Sequence, residues 1–76
     1  MAKTTAAFRV FVVEDDTMYQ RMIRYVMELN PDHEVHLFDT GQKCLEQLSL
    51  KPDLISLDYT LPDMTGEEVL KKIKNK

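Results

Sequence analysis

What most constrains this chain is an alternation of two periodicities. Three short runs, Phe8 to Val13 (FRVFVV), Glu34 to Phe38 and Leu54 to Leu57, carry β-branched, aromatic and aliphatic residues and are too short to be helices. Between and after them stand segments with apolar residues at helical spacing: Met22, Ile23, Val26, Met27 and Leu29, then Cys44, Leu45 and Leu48, then Val69, Leu70 and Ile73. Strands alternating with helices predict a parallel sheet with right-handed crossovers and helices on both faces. The first run is apolar on both faces except at Arg9, as a strand covered on both sides must be.

The punctuation between elements agrees. Thr17 and Gln20 have the spacing of a capping box, which predicts a helix from Thr17 to about Leu29, ended by Asn30-Pro31-Asp32. Arg21, Arg24 and Glu28 fall on its solvent side, and Met18, Met22 and Met27 read as core filler. Thr40 is the expected N-cap of a second helix over Gln42 to Leu50, with Cys44, Leu45 and Leu48 inward and Lys51-Pro52-Asp53 as its stop. Thr65 and Glu68 form the capping box of a third helix. The expected strand order is 2-1-3, which sets the ends of strands one and three side by side.

Those ends are acidic. The first strand stops at Glu14-Asp15-Asp16, and the third delivers Asp58 to its carboxyl end before the Leu61-Pro62-Asp63-Met64 turn. Open parallel sheets work just beyond the carboxyl ends of their strands. Like charges a few ångströms apart raise one another's pKa or recruit a cation. An all-oxygen donor set favours a hard ion such as Mg²⁺, which binds carboxylates together with water and phosphate. A free carboxylate beside such an ion is a place where a phosphoryl group can be received. The plainer reading is a solvated acidic loop, with Asp58 as a strand-end residue that only caps a turn.

Composition narrows the classes. The 76 residues allow one domain or part of one, and 43% hydrophobic with 30% charged residues is a globular balance. A net charge of −3 argues against a nucleic-acid module, since phosphate backbones need a positive surface. No apolar run approaches the length of a membrane span, and residues 1–7 read as a frayed leader without a signal-peptide core. The lone Cys44 excludes an intramolecular disulfide and fits a reducing, cytoplasmic setting. His33 and His36 flank a strand start with no third soft ligand, so they make no zinc site.

The segment VVEDD at Val12–Asp16, taken with LDYTLPDMTG at Leu57–Gly66, resembles the receiver domain of two-component response regulators. The interval from Asp15 to Asp58 and the Thr40-Gly41-Gln42-Lys43-Cys44-Leu45 segment resemble that family as well, so the likeness covers essentially the whole chain. It implies a flavodoxin-like (CheY-like) doubly wound sheet. It also implies that Asp58 is a phosphoacceptor, taking its phosphoryl group from a phosphohistidine on a histidine kinase or histidine phosphotransferase. Asp15 matches the direct Mg²⁺ (or Mn²⁺) ligand, and Glu14 the second acid of the pocket. The main-chain carbonyl of Thr60 matches the third protein ligand, and its side chain the position that tunes dephosphorylation. Pro62 and Gly66 match the turn and the helix opening, and Asp16 matches a non-ligand position. Tyr19 and Met22 match the face on which the phosphodonor docks, and read equally as helix-packing residues.

One departure is large. A receiver has five βα units, whereas residues 1–76 supply three, so the expectation is the N-terminal three-fifths of such a domain. The family's phosphoryl-sensing Thr or Ser, its Lys and its switch aromatic have no counterpart. The lysines of Lys71-Lys72-Ile73-Lys74-Asn75-Lys76 read as a solvated helix end. A haloacid-dehalogenase reading fails because Thr60 stands where that family wants a second Asp. Two functions therefore stand: a signalling phosphoacceptor that is not a turnover enzyme, and a receiver-shaped interaction or dimerisation module without productive phosphorylation. An open edge on strand three further predicts a homodimer or swapped assembly, or a longer natural protein cut short.

Overall fold

The computed structural model describes residues 7–75, so the leader expected over residues 1–7 lies, but for Ala7, outside the described residues. The order is β1 (Phe8–Val13), α1 (Thr17–Glu28), β2 (His33–Phe38), α2 (Gly41–Glu46), a 3₁₀ turn (Leu48–Leu50), β3 (Leu54–Leu57) and α3 (Gly66–Lys74). The three strands are parallel in the order β2-β1-β3. This is the expected α/β architecture: α1 joins the neighbours β1 and β2, and α2 with the 3₁₀ turn carries the chain from β2 past β1 to β3.

β1 is the central strand and carries the core. Phe11 and Val13 point to one face, where they pack with Cys44, Leu45, Leu61 and Val69 from α2, the loop after β3, and α3. Val10 and Val12 are equally buried on the opposite face, which α1 covers. Cys44 is fully buried in the first of these layers, as its apolar setting predicts. Arg9, the one charge in β1, donates to the Glu34 carboxylate at 2.8 Å and to the Leu50 carbonyl, which joins the first two strands to the turn before β3. His33 bonds the Met27 carbonyl and His36 the Glu34 carboxylate, so both histidines have structural partners.

Three features differ from the sequence expectation. α1 is capped by Asp16, whose Oδ1 accepts from the backbone N–H groups of Met18 and Tyr19, while Thr17 is the first helical residue. Gln20 does not close a capping box; its Nε2 donates to the Glu14 carbonyl at 3.0 Å. α2 ends at Glu46 and tightens into the 3₁₀ turn, which Lys51, just before Pro52, ends in the left-handed region at φ 59°. The methionines are the third correction. α1 lies over β1 and β2, so the flank of its apolar stripe overhangs β3 at the sheet edge. Ile23 and Met27 are half-buried, but Met18 is 73% exposed, Met22 57% and Val26 60%. Among the described residues, no helix is long and apolar enough to cross a membrane.

Candidate functional site

The strand register builds the site. Val13 of β1 pairs with Leu57 of β3, so the next residues, Glu14 and Asp58, leave the sheet side by side. Backbone bonds extend the sheet one step at each position: the Asp58 N–H donates to the Val13 carbonyl at 3.0 Å, and the Glu14 N–H to the Phe38 carbonyl at 2.9 Å. Glu14, Asp15 and Asp58 each bring a carboxylate oxygen to within 4.8 Å of the others. Their exposure is graded, with Glu14 buried, Asp58 half-buried and Asp15 open to solvent.

Glu14 is held on both sides. Its carboxylate accepts from the Asp16 N–H at 3.2 Å, and its carbonyl accepts from Gln20. Burial pushes its carboxyl above the usual carboxylate range, and the charges of Asp58, Asp15 and Asp16 push the same way against the single N–H donor. Asp16 itself is turned to the cap of α1 and stands apart from the cluster, consistent with a non-ligand position. The three clustered acids therefore form an oxygen-only donor set whose mutual repulsion a divalent cation would relieve.

The loop from Asp58 to Thr65 is closed on itself. Gly66 donates to the Tyr59 carbonyl at 2.6 Å and Leu61 to the Met64 carbonyl at 3.2 Å, around a bridge between Thr60 and Thr65. Among the described residues, the Thr60 carbonyl accepts none of these bonds. Gly66 is a glycine for reasons of space: a Cβ there would lie 2.7 Å from the Asp58 carbonyl oxygen. Thr65 caps α3 in a full capping box with Glu68, so this helix starts where the sequence places it.

Other residues singled out in the sequence lie elsewhere. Tyr19 and Met22 are half-exposed on α1 and line, with Ile23, Val26, Met27 and Ser56, an apolar groove of about 340 Å³ over β3; they are not part of the acidic cluster. Lys71, Lys72 and Lys74 fall in the last turn of α3, whose first turn is the end next to Tyr59. Asp63 was legible only as a turn residue. Its two carboxylate oxygens accept from the backbone N–H groups of Gly41 and Gln42, both at 2.9 Å, and these bonds lower its pKa. A second cleft, of about 280 Å³, runs from Asp15 past Thr17 and Gln20 to the Asp39–Lys43 ion pair.

Comparison with known proteins identifies the arrangement. The family model described as "Response regulator receiver domain" matches residues 10–76. The response regulator domain of CheB from Thermotoga maritima superposes with a TM-score of 0.84 at 32% identity, over 92% of this chain and 54% of that one. Among curated proteins, a protein-glutamate methylesterase/protein-glutamine glutaminase of Geobacter sulfurreducens is 38% identical over 95% of this chain. One of Clostridium acetobutylicum is 39% identical over 88%. The chain spans about a fifth of the length of these curated relatives, 20% in each case.

Proposed function

The chain belongs to the response regulator receiver domain family of two-component signalling, and from that premise we propose that it receives a phosphoryl group on Asp58. The observation that carries the reading is the convergence of the Glu14, Asp15 and Asp58 carboxylates at the ends of two adjacent parallel strands. Their oxygen-only chemistry fits a divalent cation. Glu14, Asp15, Asp58 and the Thr60 carbonyl would hold Mg²⁺ or Mn²⁺, which supplies charge neutralisation for phosphoryl oxygens when bound.

In the proposed reaction a carboxylate oxygen of Asp58 attacks the phosphorus of a phosphohistidine on a histidine kinase or histidine phosphotransferase. The P–N bond breaks, its electron pair returns to the imidazole, and an acyl phosphate forms on Asp58. Asp58 suits this role by position: its backbone is fixed by Val13, and its half-buried carboxylate remains reachable from solvent. Tyr19 and Met22, exposed on α1, are proposed docking contacts for the donor. The three βα units are read as the family's first three of five, acting in the cytoplasm as a phosphoacceptor and not as a turnover enzyme. The acidic net charge of −3 favours a protein partner over a nucleic acid for this segment.

A second reading is favoured by one observation. Among the described residues the outer edge of β3 is unpaired, Leu54 on it is 43% exposed, and the α1 groove lies beside it. A homodimer or swapped assembly would cover both surfaces, giving an interaction module independent of phosphorylation.

Uptake of label from a small phosphodonor, with and without Mg²⁺, tests the first reading. Wild type takes up label on Asp58, Asp58→Asn takes up none, and Asp15→Asn is strongly reduced. Label retained by Asp58→Asn, or mapped to Asp53 or Asp63, refutes the assignment. An unlabelled wild type that light scattering shows to be a dimer establishes the second reading instead.

A further inference from the structure

We propose that Asp63 is a positioning residue for the phosphoacceptor loop, setting the Thr60 carbonyl and Asp58 through a clamp on the N-terminus of α2. The inference rests on the receiver reading above and assigns a role to a side chain outside the acidic cluster. Residues 59–65 make hydrogen bonds among themselves and to α3. Among the described residues, their hydrogen bonds to any other element are the two from Gly41 and Gln42 to the Asp63 carboxylate. One side chain thus ties the loop to the opposite helix across more than twenty residues of sequence.

The bonds serve the loop as well as the helix. α2 already has a cap of its own, since Thr40 Oγ1 accepts from the Lys43 N–H at 3.1 Å. The Gln42 N–H is at an exposed residue, where water replaces a lost acceptor cheaply, whereas Gly41 is buried and its N–H depends on Asp63. The loop has no such substitute. Apart from its own bonds and those to α3, its remaining attachments are apolar and non-directional: Leu61 buried in the core, and Met64 packed under Gly41. Apolar contacts hold a loop against a surface, whereas two charge-assisted bonds from one carboxylate fix its rotation. The short turn between Leu61 and Met64 carries that orientation back to Thr60, one residue before it. Partners that orient a ligand without touching the ion commonly change metal affinity by an order of magnitude.

The test compares Asp63→Ala, Asp63→Asn and Thr40→Ala in the same chain. Thr40→Ala removes a bond from the same end of α2 and leaves the loop tie in place, so it measures the purely structural effect. Each variant is titrated with MgCl₂, followed by calorimetry and by tyrosine fluorescence, since Tyr59 abuts the site. Each is then labelled with a small phosphodonor, and its urea midpoint is recorded. Asp63→Ala is expected to weaken Mg²⁺ binding by about tenfold and to slow labelling. Asp63→Asn, which keeps one acceptor oxygen, falls between it and wild type. Thr40→Ala lowers the urea midpoint comparably while leaving Mg²⁺ affinity at the wild-type value. Wild-type Mg²⁺ affinity in Asp63→Ala, or equal losses in Thr40→Ala at matched stability, overturns the inference alone. A wild type that neither binds Mg²⁺ nor accepts label overturns the receiver chemistry and this inference with it.

Discussion

Gly66→Ala separates two opposing effects that can both be sized from the structure. Gly66 is the first residue of α3 and has no positive φ. At such a position alanine ordinarily stabilises a protein by about 0.4–1 kcal/mol, by removing freedom from the unfolded chain. Here the added Cβ meets the Asp58 carbonyl oxygen at 2.7 Å, Tyr59 Cα at 3.1 Å and the Asp58 carbonyl carbon at 3.3 Å. All three are backbone atoms of the loop that carries the acceptor, so none can rotate away. Overpacking of this kind costs about 1–3 kcal/mol. The difference is a net loss of about 1–2 kcal/mol, a substantial part of the roughly 4–11 kcal/mol expected of a domain this size.

Urea unfolding followed by circular dichroism measures it, and the midpoint should fall by about 1 M. Labelling of Asp58 should fall further than stability alone explains, because the clash is with the acceptor's own peptide. Gly41→Ala is the comparison. Its Cβ would meet Met64 Cγ at 2.7 Å, Met64 Sδ at 2.8 Å and Val69 Cγ2 at 2.8 Å, all side-chain atoms. Met64 is flexible and half-buried, so part of that overlap relaxes and the loss should be smaller. A Gly66→Ala protein as stable as wild type, or more stable than Gly41→Ala, would refute the reasoning.

Two further outcomes follow from the polar contacts. Arg9→Ala should cost about 1–3 kcal/mol in chemical denaturation, because it leaves the Leu50 carbonyl without its half-buried donor and the Glu34 carboxylate with His36 alone. Arg24→Ala, which breaks only the exposed pair with Glu28, should cost about 0.3–0.5 kcal/mol. Asp63 has a carboxyl pKa lowered by the Gly41 and Gln42 N–H groups, so its stabilisation is present above the ordinary carboxylate range and is lost as pH falls through its folded value. The stability difference between wild type and Asp63→Asn should therefore be full near neutrality and vanish in acid; a constant difference from pH 7 to pH 2 (an assay range of about five units) would contradict the sign of that linkage.

Much of this was legible because it depends on local signals. β1 and β3 were readable to the residue, since each is an apolar run stopped by an acid or a proline-containing turn. The α3 start was readable because both halves of its capping box lie within four residues. The α1 start was misread for the same kind of reason. Asp16 and Thr17 are both good caps in adjacent positions; Asp16 takes the cap, and the Gln20 side chain that a Thr17 box would need bonds the Glu14 carbonyl instead. Which of two adjacent caps is used is not recorded in the local pattern.

The convergence of the acids was expected from the 2-1-3 strand order, whereas the exposure of the α1 stripe was not. The meeting of Glu14 with Asp58 follows from one fact, that Val13 pairs with Leu57. A slip of one residue would turn Asp58 toward the opposite face of the sheet and disperse the cluster. The sequence supplies the two acids and the apolar runs, while the pairing of β1 with β3 supplies the site. The same edge explains the methionines. The helical period of α1 is genuine, but period alone shows only which residues share a face, not how much of that face the sheet underlies. Because α1 sits over β1 and β2, Ile23 and Met27 reach the sheet, and Met22 and Val26 overhang β3. Burial of an amphipathic stripe is thus a property of the layer beneath it, and for α1 that layer ends at β3.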